Sequence, residues 1–512
     1  MHKPEKLALL FALAGLAGCA TSSLNLAPPA PNVPWTPPTS SDGAIVPGKP
    51  PDASAPKRDG YVLPANAKAA GSAGAPADLD KSHPYTLPEL IDLAESHDPS
   101  TRVAWESSRD AALATGIAKT TYLPSVSATV VGAYQAGSNS LRVAGTSGNL
   151  NGSVDGVISA LSLQWLLFDF GERDANVLAA EQLSVMANIA FTAAHQQLIY
   201  KVALAYYTHM AAQAHVATAQ QSLRNAQMVQ DAAEARYVNG VGTVVEQAQA
   251  RQGTAQAELA HVQADGLAQD TYVALLAAMG ISPLSPIKLA DLGERKLSSA
   301  LMGPVEEIVA NALARRPDVL GAYAAHEASL ARLRAAKAEF LPKFFLSATG
   351  SYIRNSVDVT ALPGIGQVPP TLNIPGTHYG GTVLLGVTVP LYDAGLRRAL
   401  EGQARADAAK ADLRLEEVRD QATQEIVAAA NRVRTSLSAL DAAEALASAA
   451  QTTFDAALDA YRNGVGSITD ATHAETALLE ARNASADAYS FALSSAATLA
   501  LAAGTLGTAP ES

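Results

Sequence analysis

The sequence is written twice. Residues 85–134 align with 303–352 at a constant offset of 218, so that Pro99, Leu123-Pro124, Gly132 and Tyr134 fall on Pro317, Leu341-Pro342, Gly350 and Tyr352. Farther along the offset is 224. Asp169 and Gly171 fall on Asp393 and Gly395, Asn239-Gly240-Val241-Gly242 on Asn463-Gly464-Val465-Gly466, and Gly280 on Gly504. A chain repeated at this scale builds one supersecondary unit twice. The change of offset falls between the two strands of each unit, where loops absorb insertions.

Each unit reads helix, strand, loop, strand, very long helix, turn, helix. The opening helices span about 86–121 and 304–340, the strands about 123–135, 154–168, 343–353 and 380–392, and the loops 136–153 and 354–379. Leu161, Leu163, Trp165 and Leu167 alternate with Ser162, Gln164 and Leu166, and Val383, Leu385, Val387 and Val389 with Thr382, Leu384, Gly386 and Thr388. That period of two is the weak signature of an outer-membrane strand. The long helices, about 172–238 and 396–462, would each be on the order of 100 Å long. Leu415, Val418, Ala422, Ile426, Ala429, Val433, Leu437 and Leu440 follow an eleven-residue repeat, which suits a nearly straight helix; imperfect heptads would fit the same window. In each unit the two shorter helices together match one long helix, which predicts that they stack end to end beside it.

No unbroken apolar run reaches the ~18–20 residues of a spanning helix, so any crossing is made by strands. One chain supplies four. Four cannot close, and open edges in lipid cost several kcal/mol per unpaired group. Two copies would give eight strands and three would give twelve; parity alone does not choose. The expected fold is mainly α with a transmembrane β-barrel portion, continuous with a helical barrel and enclosing a passage.

A net charge of −12 excludes a general nucleic-acid binder. The ten histidines show no metal spacing, and no Walker A sequence or G-x-S-x-G elbow is present. No enzyme, metal or cofactor is expected. Lys3 and Lys6, the apolar run from Leu7 to Leu13, and Leu16-Ala17-Gly18-Cys19 describe a secretory signal ending in a lipoprotein cut site. Cys19, the one cysteine, becomes the lipidated N-terminus. Thirteen of the 28 prolines lie between Pro28 and Pro84, a composition suited to a tether. The expected organisation is signal 1–18, lipidated Cys and tether 19–84, first repeat 85–280, linker 281–302, second repeat 303–504 and tail 505–512.

The doubled unit, the Leu-Pro at each strand entry and the Tyr-x-Asn-Gly-Val-Gly turns resemble the TolC family of outer-membrane efflux proteins, in its lipoprotein (OprM-like) branch. The resemblance implies a homotrimer with a twelve-stranded barrel, four strands per chain, and an α-helical tunnel in the periplasm. It implies an outer-membrane exit duct serving a periplasmic adaptor and an inner-membrane pump of the RND type. Asp470 matches a pore-ring Asp of the family, and His473 stands where a second ring Asp is usual. Glu246 and Tyr461 match a latch pair, whose third member, an Arg, is replaced by Gly466. The turns containing Asn239, Gly240, Val241, Gly242, Asn463, Gly464, Val465 and Gly466 match the family's adaptor-docking tips. Independently of the resemblance, Thr243-x-x-Glu246 and Ser467-x-x-Asp470 fit capping boxes. The rival readings are the outer-membrane part of a type I protein-secretion system and, in another class, a periplasmic coiled-coil structural or adaptor lipoprotein.

Overall fold

The computed structural model describes residues 26–28, 30–31, 37–48, 63, 65, 79–143, 146–290, 303–360 and 371–507. The signal, Cys19 and most of the tether lie outside the described residues. Two units are distinguished: Met1–Lys81 with Leu284–Pro286, and Ser82–Pro283 with Ile287–Ser512. In the first, Thr39 and Ile45 form an isolated antiparallel bridge closed by Val46 N–H donating to Pro38 O at 3.0 Å.

The second unit contains β1 (Pro84–Tyr85), α1 (Leu87–His97), α2 (Pro99–Thr120), β2 (Ser125–Val143), β3 (Thr146–Phe168), α3 (Glu172–Val238) and α4 (Val244–Ala278). It continues with β4 (Lys288–Leu289), α5 (Val305–Leu313), α6 (Pro317–Ala338), β5 (Lys343–Thr360), β6 (Thr371–Thr388), α7 (Leu396–Arg462) and α8 (Ile468–Ala502). The expected opening helices are each broken in two. Pro99 and Pro317 start new helices at their first position, where a missing N–H costs nothing. The segments expected to be loops, 136–153 and 354–379, are largely strand: β2 pairs with β3 up to Val143–Thr146, and β5 with β6 up to Thr360–Thr371. Gly, Ser and Asn disfavour strands in isolation, but a partner in register overrides that preference. The two-residue parallel pair of β1 with β4 had no signal in the sequence.

The four long strands form one antiparallel sheet in the order β2-β3-β5-β6. Register assigns each residue to a face. Val126, Leu163, Ala348 and Val383 form one cross-strand row, Trp165, Leu346 and Leu385 another, and Val130, Ser159, Tyr352 and Tyr379 a third. The other face is mixed: Ser127, Ser162, Thr349 and Thr382 form a hydroxylic row and Thr129, Ala160, Ser351 and Gly380 a row of small residues, whereas Val131, Ile158, Ile353 and His378 form a mostly apolar one. Aromatic rings flank the apolar face. Phe168, Phe170 and Phe344 cluster at the end near the helices, where Trp165 Nε1 donates to Tyr122 O at 2.8 Å. Tyr352 and Tyr379 pack 5.0 Å apart toward the other end. Phe344 and Tyr352 are separated by about 26 Å along β5, near the ~25 Å of an outer-membrane apolar band.

Each sheet-to-helix junction uses two successive residues with positive φ: Phe170 at 55° and Gly171 at 89°, Ala394 at 56° and Gly395 at 88°. Asp169 Oδ2 accepts from Arg173 N at 3.0 Å and Nε at 2.9 Å, and Asp393 Oδ2 accepts from Arg397 N and Nη1, both at 3.0 Å. Arg173 also donates to Leu166 O at 2.6 Å, Leu167 O at 3.1 Å and Thr121 O at 3.0 Å, binding the ends of α2 and β3 to the start of α3. Sequence alignment paired Asp169 with Asp393 but overlooked these arginines, themselves 224 residues apart.

Both long helices run 67 residues. α2 and α4 pack along α3, and α6 and α8 lie between α3 and α7, the expected end-to-end stacking. Where stacked helices meet, the chain is tight: a Cβ on Gly280 would lie 2.9 Å from Asp98 Cα, and one on Gly504 3.2 Å from Arg315 O. Arg316 secures the second joint, donating to Glu425 and Asp318, both at 2.6 Å, and to Ala502 O at 3.0 Å. Six of the eight stripe residues on α7 are buried, from Leu415 to Leu440. α3 carries an 18-residue window of mean hydropathy 1.3, long and apolar enough for a membrane span by composition, contrary to expectation. Val177, Leu178, Leu183, Val185, Ile189 and Phe191, interrupted by Glu181, Gln182 and Asn188, raise the hydropathy there without an unbroken apolar run. Only 11% of the window is fully buried within the chain, most of the rest being half-buried against neighbouring helices.

Removing one member of a buried ion pair strands the other charge, at about 3–5 kcal/mol. Arg173→Met is therefore expected to destabilise the protein by about that amount, and Arg397→Met, whose pair is more exposed, by markedly less. Thermal unfolding in detergent measures both; equal losses would contradict the difference in burial.

Candidate functional site

The two long helices end in near-identical turns. Gly240 N donates to Tyr237 O at 3.0 Å, and Val241 N and Gly242 N to Arg236 O at 3.0 and 2.9 Å. In the second turn Gly464 N donates to Tyr461 O at 3.1 Å, and Val465 N and Gly466 N to Ala460 O, both at 3.0 Å. Gly240 and Gly464 have φ of +75° and +77°, the left-handed cap that only glycine adopts without strain. The asparagines are not the left-handed residues of these turns. Asn239 and Asn463 keep negative φ, and each side-chain amide donates to the carbonyl four residues back at 2.8 Å. Gly242 and Gly466 are needed for space, since a Cβ would lie 2.9 Å from Tyr237 N or 3.0 Å from Ala460 Cβ.

The returning helices start with the expected capping boxes. Glu246 Oε2 accepts from Thr243 N at 3.1 Å, while Glu246 N donates to Thr243 Oγ1 at 3.2 Å. Asp470 Oδ2 accepts from Ser467 Oγ at 2.7 Å and Ser467 N at 3.4 Å, while Asp470 N donates to Ser467 Oγ at 3.1 Å. Both carboxylates thus hold helix ends, where the helix dipole favours negative charge. Asp470 and His473, one turn apart on α8, are exposed. Around the turns Val238, Val241, Val244, Val245 and Val465 are exposed, Val465 at 84%.

The expected latch is changed. Tyr461 is fully buried among Phe454, Leu458, Ile468 and Ala471, and its hydroxyl has no hydrogen-bond partner among the described residues, Glu246 included. Burial, and then the charge of Glu246 acting through space, pushes the Tyr461 hydroxyl pKa up. The group that grips Tyr461 is Arg236, which sequence reasoning missed. Its guanidinium lies 5.0 Å over the Tyr461 ring, Nη1 donates to Tyr461 O at 3.1 Å, and Nη2 to Val241 O at 3.4 Å. A difference between the repeats could have pointed to it: position 236 is Arg and position 460 is Ala.

Farther from the turns, Glu475 of α8 is hydrogen-bonded to the Ser222 hydroxyl of α3. Burial pushes the Glu475 carboxyl pKa up, partly opposed by that hydrogen bond. Among the described residues no group of three or more His, Cys, Asp or Glu is placed to hold a metal.

This arrangement of a four-stranded sheet, two long helices and paired turns is shared with known proteins. The sequence matches the family of outer membrane efflux proteins over residues 90–281 and 308–505. The chain belongs to this family. It is 27% identical over 369 residues to Protein CyaE of Bordetella pertussis, covering 71% of this chain and 73% of that protein. It is 29% identical over 215 residues to the pyoverdine export outer membrane protein OpmQ of Pseudomonas putida, covering 41% of each. In fold it matches the outer membrane protein VceC of Vibrio cholerae at a TM-score of 0.64 and 22% identity, covering 82% of this chain and 96% of VceC. The open-state MtrE outer membrane channel of Neisseria gonorrhoeae matches at 0.64 and 23% identity, covering 82% of this chain and 88% of MtrE. As an outer membrane efflux protein the chain is a channel component rather than a periplasmic adaptor, and the rival scaffold reading is set aside.

A buried carboxyl with a raised pKa contributes stability that is complete below the unfolded value and lost as pH rises through the folded one. Glu475→Gln should leave stability almost unchanged near pH 4 and raise it increasingly toward pH 8. Thermal unfolding of both proteins across that range tests this; a gap that does not widen with pH would count against burial of the charge.

Proposed function

We propose that three copies of this chain form a passive exit duct, with twelve strands closed in the outer membrane and the helices forming a tunnel in the periplasm. The observation that carries the reading is the pair of open edges. β2 and β6 each have one unpaired side, and in hydrocarbon every unpaired backbone group costs several kcal/mol. The edge of one copy meets the opposite edge of the next, a head-to-tail contact that closes into a ring. The helices support the same joint: α2 and α4 lie on one flank, α7 on the other. Val103, Leu113 and Ile117 on α2, Leu259 and Val262 on α4, and Leu413 and Leu446 on α7 are exposed in the single chain.

In such a ring the apolar face of the sheet meets lipid, its aromatic rows meet the two interfaces, and the mixed face, with its Ser and Thr row, lines the bore. Solutes then pass without chemistry. Energy enters from an inner-membrane pump, of the RND type, through a periplasmic adaptor whose helical hairpins meet the turns at Asn239–Gly242 and Asn463–Gly466. The exposed valines there offer an apolar surface for that contact. Similarity over 41% of the chain to a protein named for pyoverdine export fits a small-molecule cargo. Lipidation at Cys19, after removal of residues 1–18, adds an anchor in the same membrane.

Asp470, repeated around the axis, gives the tunnel end an acidic ring that favours cations, with exposed His473 weakening it when protonated. Asp470→Asn keeps a side-chain acceptor for Ser467 and removes the charge. It should lower cation selectivity in planar bilayers with trimers intact; unchanged selectivity would remove Asp470 from the gate. Val465→Glu should stop efflux in cells while purified protein still swells sugar-loaded liposomes. Normal efflux would remove that turn from the docking surface, and no swelling by the unaltered protein would overturn the duct.

A further inference from the structure

The two repeats pack alike as well as read alike. Ser108 of α2 meets Asn188 of α3, and His326 of α6 meets Asp412 of α7, the same positions shifted by 218 and 224. Asp98 against Gly280 and Arg316 against Gly504 repeat in the same way. In a closed ring, α2 of the next copy takes beside α7 the place that α6 takes beside α3. The contacts of α3 with α6 therefore serve as a template for that joint. A Cβ on Gly321 would lie 3.9 Å from Met186 Cγ, which sets Lys410 beside Val103 of the next copy. Gln196 Nε2 donates at 3.4 Å to Gly504 O beside Arg316, which sets Asp420 beside Asp98 of the next copy. Antiparallel helices count in opposite directions, so the two contacts put Lys410 level with residues 103–108 and Asp407 level with 106–111.

Four exposed charges fall at these levels. On α2 Glu106 pairs with Arg109 at 3.2 Å, and on α7 Asp407 pairs with Lys410 at 3.2 Å. Both helices read acid, then base three residues on. Because they run in opposite directions, Glu106 comes to face Lys410 of the neighbour and Arg109 to face Asp407. Inside one chain the same seam is nearly without charge. The counterparts of Asp407, Lys410 and Glu106 are Leu183, Met186 and Ala324, and only Arg109 has a charged counterpart, Glu327. At this level the repeats match in backbone and differ in chemistry.

Resting on the duct reading, we infer that Glu106, Arg109, Asp407 and Lys410 form an ionic lock between neighbouring copies, a surface by which this chain recognises a second copy of itself. Exposed ion pairs add little affinity. Their effect is selective, because a neighbour shifted by one helical turn sets Glu106 against Asp407, and facing like charges disfavour that register. In the separate chain the pairs within each helix occupy the same charges until the copies meet.

The test uses the full-length protein in detergent. Glu106→Cys with Lys410→Cys should give, on oxidation, a disulfide-linked species of three chains, since α2 and α7 lie on opposite flanks of one chain and the one native cysteine is Cys19. Either substitution alone should give none. Glu106→Cys with Glu417→Cys, about 10 Å farther along α7, should give at least about fivefold less. Charge exchange tests the lock itself. Glu106→Arg with Arg109→Glu reverses α2 and keeps its internal pair, and Asp407→Lys with Lys410→Asp does the same on α7. Either exchange should lower the temperature at which trimers come apart on gels by about 5–10 °C, and both together should restore it. Trimers unaffected by either exchange, or no more stable with both than with one, overturn the lock. Where one exchange yields no trimers, their recovery with both supports the lock and failure to recover overturns it. Trimers that lack the Glu106–Lys410 cross-link sink the lock and leave the duct, whereas an unaltered protein that is a single chain sinks both.

Discussion

The proposed assembly depends on backbone groups at the outer edges of β2 and β6 that no described strand pairs. A four-stranded sheet with one apolar face, one mixed face and two open edges is stable neither in water nor in lipid. Its apolar rows need hydrocarbon, and its two edges need other strands. Within one chain β3 pairs with β5, which joins the two repeats, while β2 and β6 stay open. Repeating that join between chains would leave no edge. The exposed apolar residues on α2, α4 and α7 are the helical counterpart of the same incompleteness.

The helices extend the sheet's geometry by a distinct device. Two residues of positive φ turn each strand into a helix, and Asp169–Arg173 and Asp393–Arg397 fix the angle. From there the small side chains of Ala let neighbouring helices approach closely over 67 residues. Because the short helices stack at Gly280 against Asp98 and at Gly504 against Arg316, the wall continues past each chain break. At the far end, capping boxes and left-handed glycines make each turn rigid, while Arg236 on Tyr461 and the buried cluster of Val229, Ala233 and Ala250 with Phe454, Leu458 and Ile468 tie one hairpin to the other.

The sequence was most readable where periodicity or repetition was strict. Both long helices, 172–238 and 396–462, end where the repeat and the Asn-Gly turns place them, and the buried stripe of α7 follows its eleven-residue period. Strand length was underestimated, because the pairing that extends β2 through Gly137 and Ser138 is a long-range contact with no local signal. The opening helices were joined in error across Pro99 and Pro317, where proline begins a helix rather than lying inside one. At the candidate site the caps formed by Glu246 and Asp470 were legible from spacing alone. The grip of Arg236 on Tyr461 was not, since it spans 225 residues and depends on where two helix ends meet in space. Comparing the repeats for their differences, and not only their matches, would have drawn attention to Arg236.

The central claim is that one chain is an unfinished third of a cylinder. Native mass spectrometry of the detergent-extracted protein tests it most directly. The account predicts a single assembly of three chains that requires detergent to stay in solution. A folded single chain, stable in water with its four strands paired and no detergent bound, would contradict it.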